Sequence, residues 1–150
     1  MNSSVRWLKP LAWLVGILAV LFGLMQLVPY GRAHANPPTV QEPLWDSPRT
    51  RELAKRACFD CHSNETRWPR YASFAPLSWV VQRDVDSGRE VMNFSEWNLV
   101  YEHAEYSGSS VQTGNMPPLW YKWKHGEADL TDAETAELAR GLNATLKPPR

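Results

Sequence analysis

Apolar and polar positions divide this chain into two regimes. Residues Leu11 to Val28, LAWLVGILAVLFGLMQLV, carry no charge and a single amide, Gln26. At about 1.5 Å per residue such a helix is roughly 27 Å long, close to the hydrocarbon thickness of a bilayer. Arg6 and Lys9 precede the run, and Trp7, Trp13 and Tyr30 lie near its ends. The positive-inside rule then puts the N-terminus in the cytoplasm and the rest outside, with the aromatic rings at headgroup level. Ala33-His34-Ala35 has the small-x-small form of a signal-peptidase site, but the apolar run is longer than a cleaved signal usually needs. A retained anchor is favoured, and cleavage stays the alternative.

Beyond the run the periodicities are shorter. Pro37, Pro38, Pro43 and Pro48 punctuate a stretch with no helical pattern, which predicts an extended connector. Ser47 before Pro48 supplies an N-cap and a first-turn proline for a helix whose apolar side is Leu53, Ala54 and Ala57. Leu77, Val80, Val81 and Val85 predict a second helix, with Gly88 as its stop. Ser95 caps a third, its inner face Trp97, Val100, Tyr101 and Ala104. Residues 107–118 read as loop. Thr131 with Glu134 forms a capping box for a last helix with Leu138, Leu142 and Leu146 on its stripe, running to a proline-rich end. The chain thus divides into a cytoplasmic N-terminus (1–10), a transmembrane segment (11–28), a connector (29–46) and an all-α domain of about four helices (47–150).

Within that domain, Cys58, Phe59, Asp60, Cys61 and His62 spell CFDCH. On one helical turn, positions i, i+3 and i+4 share a face. Two thiols can then reach the two vinyl groups of one porphyrin while the imidazole meets its iron, the spacing of c-type haem attachment. A dithiol redox motif would need strands around it, and none is predicted. A structural zinc site would need further ligands, and His34, His103 and His125 are scattered. The expected cofactor is one covalently held haem c, with Cys58 and Cys61 as thioethers and His62 as proximal iron ligand.

Composition changes this picture little. The two motif cysteines are the only ones in 150 residues, and the formal net charge is zero. From Asn36 onward there are 13 Lys plus Arg against 16 Asp plus Glu, so no basic face argues for nucleic acid. Export across the membrane agrees with the motif, because c-type haem is attached on the outer side of the cytoplasmic membrane.

The GNMPP segment, Gly114 to Pro118, offers Met116 as distal iron ligand, since two prolines fix the backbone behind it. Met92 is a lesser thioether candidate, and His103 or His125 would give bis-histidine ligation. Trp68 and Trp79 are candidate walls of the haem pocket. Arg67, Arg70 and Arg83 are candidate partners for the propionates.

The run CFDCHSNETRWPRYASFAPLSWVVQRDVDSGREVMNFSEW (Cys58 to Trp97), GNMPP and PYGRAHANPP (Pro29 to Pro38) resemble the bacterial haem-binding domain family of small, membrane-anchored, single-haem c-type cytochrome-like proteins. The resemblance implies haem binding through Cys58, Cys61 and His62 and retention of the segment around residues 33–35. Arg70 stands where similar proteins have an aromatic.

Together these features predict a cytochrome c-like domain held at the outer face of the cytoplasmic membrane, passing single electrons between redox protein partners. No carboxylate pair, nucleophile with base, or phosphate-cradling loop suggests an enzyme. The alternatives are a haem-based gas sensor or peroxidase-like protein with a labile distal site, or an accessory haem subunit of a membrane complex.

Overall fold

The computed structural model describes residues 3–146, with side chains described from residue 8. Among these residues there are seven α-helices and no strand: α1 (Ser3–Met25), α2 (Pro48–Ala57), α3 (Phe59–His62), α4 (Leu77–Val91), α5 (Ser107–Gln112), α6 (Leu119–Lys124) and α7 (Asp132–Thr145). Short 3-10 turns lie at Arg70–Ser73, Ala104–Tyr106 and Gly126–Ala128. The fold is all-helical among the described residues, as the periodicities predict, but with six α-helices after α1 rather than four. The proline-rich end, 147–150, lies outside the described residues.

Two compact units make up the chain, one of Met1–His34 with Pro69–Arg83, the other of Ala35–Trp68 with Asp84–Arg150. In the first unit, Leu8–Met25 is long and apolar enough to cross a membrane, with a mean hydropathy of 2.0 over its 18 residues and none of them buried. The helix ends three residues before the apolar run does. Gln26 leaves it to pair its amide with the backbone of Ala75, donating to the carbonyl at 2.9 Å and accepting from the N–H at 3.0 Å. Ser78 Oγ donates to Tyr30 O at 3.2 Å, and His34 Nε2 to Ala72 O at 3.1 Å. Gly31, at φ +78°, lies against the Ser78 carbonyl where a Cβ would collide with it. The Ala33–Ala35 stretch is therefore flanked by residues committed to folded contacts.

The second unit begins with α2. Ser47 Oγ accepts from Thr50 N at 3.1 Å and Pro48 opens the first turn. Leu53, Ala54 and Ala57 are buried against Leu138, Ala139 and Leu142 of α7. Thr131 and Glu134 form the expected capping box. Phe94, fully buried, is the centre of an aromatic group, with ring centroids at 5.0 Å from Trp45, 5.5 Å from Phe59 and 6.0 Å from Trp97.

Three predicted elements differ. No helix follows Ser95, because its neighbourhood is committed to distant partners: Val40 N and Gln41 N donate to Ser95 O, and Trp97 N to Gln41 O at 2.9 Å. Trp97 and Tyr101 still pack on the core, but Val100 is 91% exposed. Residues 107–112 form a helix in place of loop, since packing of Gly108 and Val111 toward α7 overrides the weak propensity of SGSSVQ. Gly88 does not stop α4, which continues to Val91.

Glu134 joins α7 to α2, accepting from Arg56 Nη1 at 2.7 Å and Arg49 Nη2 at 3.1 Å. The Arg56 guanidinium, followed by the Thr131 N–H, holds its carboxyl down at about 2, against an ordinary value of 4.5. A depressed carboxyl contributes stability above its unfolded pKa and loses it as pH falls through the folded one. In urea titrations the advantage of wild type over Glu134→Gln is therefore full above about pH 4.5 and vanishes toward about pH 2. A gap independent of pH contradicts this.

A cavity around the CFDCH turn

Cys58 ends α2 at φ −126°, ψ −34° and starts the next turn as its N-cap. Its carbonyl accepts from Cys61 N at 3.2 Å and His62 N at 2.9 Å. That single turn puts Cys58, Cys61 and His62 on one face, while Phe59 enters the core. Gly88 explains why α4 passes close by: a Cβ there would lie 2.9 Å from Cys61 Cβ and closer still to its carbonyl oxygen.

His62 is fixed from behind. The Met92 carbonyl lies 3.1 Å from Nδ1, and a carbonyl only accepts, so Nδ1 carries the proton and Nε2 keeps its lone pair for a metal. Phe94 N donates to His62 O at 2.8 Å, tying the same segment down twice. Burial lowers the pKa of His62, opposed by the backbone of Met92 and of Gly88, and so favours the neutral ring that a metal requires.

Both thiols are pushed up to about 12, chiefly by burial, with Cys61 adding its charge at Cys58, and Asp84 and Asp60 theirs at Cys61. They are protonated at neutral pH. An activated dithiol would need the opposite shift.

The three residues line a cavity of about 420 Å³ together with Met116, Val111 and Leu142, among others, a size typical of cofactor sites. Met116 reaches it from the loop after α5, its N–H donating to Ser110 O at 3.1 Å, and it is 42% exposed. Met92 is buried, and its sulfur accepts from Ser107 Oγ at 3.3 Å. Its carbonyl is the one that holds His62, which puts Met92 behind that imidazole. His103 also lines the cavity. His125 does not; it stacks on Tyr121 with centroids 4.2 Å apart.

Trp68, Arg70 and Trp79 are not among the lining residues. Trp68 donates Nε1–H to Asn36 Oδ1 at 3.1 Å. Arg70 and Trp79 belong to the first unit. The aromatic lining comes instead from Phe94, Tyr106, Trp120 and Tyr121. The cluster LWYKWK directly after GNMPP was the sequence signal for Trp120 and Tyr121. Arg67 is committed to carboxylates, Asp60 at 3.1 Å and Glu127 at 2.8 Å.

An apolar cavity with two protonated thiols, a neutral imidazole offering Nε2 and a thioether on a separate loop suits a large, flat, iron-bearing cofactor. These are the features of a haem-binding protein. A family model, the haem-binding domain, matches residues 20–144, and the chain belongs to that family. No curated protein and no solved structure matches the chain.

Because α4 has no room for a Cβ at Gly88, Gly88→Ala must shift the Cys61 backbone. The expected cost is about 1–3 kcal/mol, the range for overpacking, read from urea unfolding. An unchanged midpoint contradicts the close approach.

Proposed function

We propose that this chain is a membrane-anchored, single-haem c-type cytochrome that carries electrons at the outer face of the cytoplasmic membrane. The observation that carries the reading is that Cys58, Cys61, His62 and Met116 border the same cavity. Haem, when bound, supplies one-electron chemistry at its iron.

The residues divide the work. Cys58 and Cys61 would hold the haem as thioethers, each thiol S–H adding across a vinyl group with sulfur bonding one carbon and hydrogen the other, so that no oxidant or reductant would be consumed. His62 would hold the iron through Nε2, its tautomer set by the Met92 carbonyl. Met116 would hold the iron from the other loop through its thioether, and a Met/His pair would give a raised potential suited to electron transfer. The apolar lining keeps water from the centre and so limits the reorganisation that each electron transfer requires. Retention of the anchor is supported by the contacts of Gln26, Tyr30 and His34 with residues 72–78.

A second reading, a haem protein that takes up a diatomic gas or reduces peroxide, draws on the 42% exposure of Met116, which suits a labile ligand. Optical spectra of the purified full-length protein separate the two. In the carrier, the oxidised protein shows a thioether-to-iron charge-transfer band that Met116→Ala abolishes, and the midpoint potential falls in the variant. A spectrum identical in wild type and Met116→Ala overturns the distal assignment, and rapid stoichiometric binding of carbon monoxide by reduced wild type favours the second reading.

A further inference from the structure

Asp60 lies inside the attachment motif yet does not line the cavity. Its carboxylate is buried, and four donors converge on it. Arg67 gives its backbone N–H at 3.0 Å and Nε at 3.1 Å to Oδ1, and Nη2 at 3.1 Å to Oδ2. Tyr121 gives its hydroxyl to Oδ2 at 2.6 Å. Three of these bonds come from the neighbouring segment and would satisfy the charge alone. The fourth crosses 61 residues to α6.

Tyr121 does line the cavity, and its own N–H donates to Pro118 O at 3.0 Å. Pro118 follows Met116 by two residues. A short path therefore runs from the motif through Asp60, the Tyr121 hydroxyl and the Pro118 carbonyl to the methionine loop. From the other direction the loop is held to α5 by two backbone bonds, Gly114 N–H to Val111 O and Met116 N–H to Ser110 O, each at 3.1 Å. Arg67 braces the same stretch from below, pairing with Glu127 just beyond α6 at 2.8 Å.

From this geometry we infer that Asp60, acting through Tyr121, is a positioning residue that sets the distal loop against the attachment turn and so keeps the Met116 thioether on the iron. The inference rests on Met116 as distal ligand and assigns a use to the second variable position of CFDCH. A charge-assisted O–H···O⁻ bond in a dry site is among the stronger kinds. Its loss leaves the Tyr121 ring packed and Asp60 still held by Arg67, so the change falls on the loop rather than on folding.

The test uses full-length, haem-loaded protein as wild type, Tyr121→Phe, Asp60→Asn, Met116→Ala and Tyr101→Phe. The last removes a hydroxyl bonded to Glu96 O at 3.4 Å, away from the cavity. The readouts are carbon monoxide uptake by reduced protein and midpoint potential, with thermal unfolding measured alongside. Tyr121→Phe takes up carbon monoxide at least about tenfold faster than wild type, the low end for a lost hydrogen bond to a charged group, and its potential shifts toward that of Met116→Ala. Asp60→Asn moves the same way, and Tyr101→Phe stays with wild type. A slow wild type with an equally slow, folded Tyr121→Phe overturns the positioning role alone. A wild type as fast as Met116→Ala overturns the ligand assignment, and this role with it. If Asp60→Asn fails to fold, Tyr121→Phe decides.

Discussion

The hydrogen bond from His62 Nδ1 to the Met92 carbonyl is the constraint on which the site depends. It selects the tautomer, orients the ring and leaves Nε2 free to serve as the ligand of the proposed haem site, all from a backbone atom that substitution of side chains cannot remove. Around it, Phe94 N bonds to His62 O, Asn64 N to Ser95 Oγ, and Asn93 Nδ2 to Asn64 Oδ1 at 2.9 Å. The turn from Cys58 to His62 is thus laid along residues 92–95, and the aromatic group centred on Phe94 packs beneath it. Local backbone bonding, polar satisfaction and core burial reinforce one another in one place.

This arrangement explains why α4 carries a glycine in mid-helix. Gly88 costs helix propensity, roughly 1 kcal/mol relative to alanine, but it lets α4 approach the Cys61 backbone and deliver Met92 behind His62. The cost in the helix is offset by the ligand geometry it permits. Asp60 plays the complementary part. Its burial would be unfavourable without partners, and Arg67 and Tyr121 supply them, so that one charge links the motif to the loop that carries Met116.

What could be read from the sequence was mostly what short-range chemistry encodes. The Ser47-Pro48 start, the Thr131–Glu134 capping box and the leucine stripe of α7 each depend on residues within a turn or two, and all three are present. The motif turn was legible for the same reason. Residues 95–103 and 107–112 were not, because their outcome is decided by partners far along the chain: Gln41 takes the backbone of Trp97, and α7 draws SGSSVQ into a helix. Gly88 looked like a stop because the sequence does not show what passes beside it. Trp68 and Trp79 lie near the motif in sequence, whereas the cavity takes its aromatics from Phe94 of the core and from Tyr106, Trp120 and Tyr121, the last three brought in by α6 and the segment before α5. Asp60 gave no signal, since a carboxylate between two cysteines is ordinarily a solvated residue.

The central claim is that the two thiols on this turn are the haem's covalent attachment points, and mass spectrometry of full-length protein after denaturation tests it most directly. The account predicts an intact mass increased by one haem, a tryptic peptide containing Cys58 to His62 that retains it, and no alkylation of either cysteine. Complete release of haem on denaturation, with both Cys58 and Cys61 free to alkylate, would contradict it.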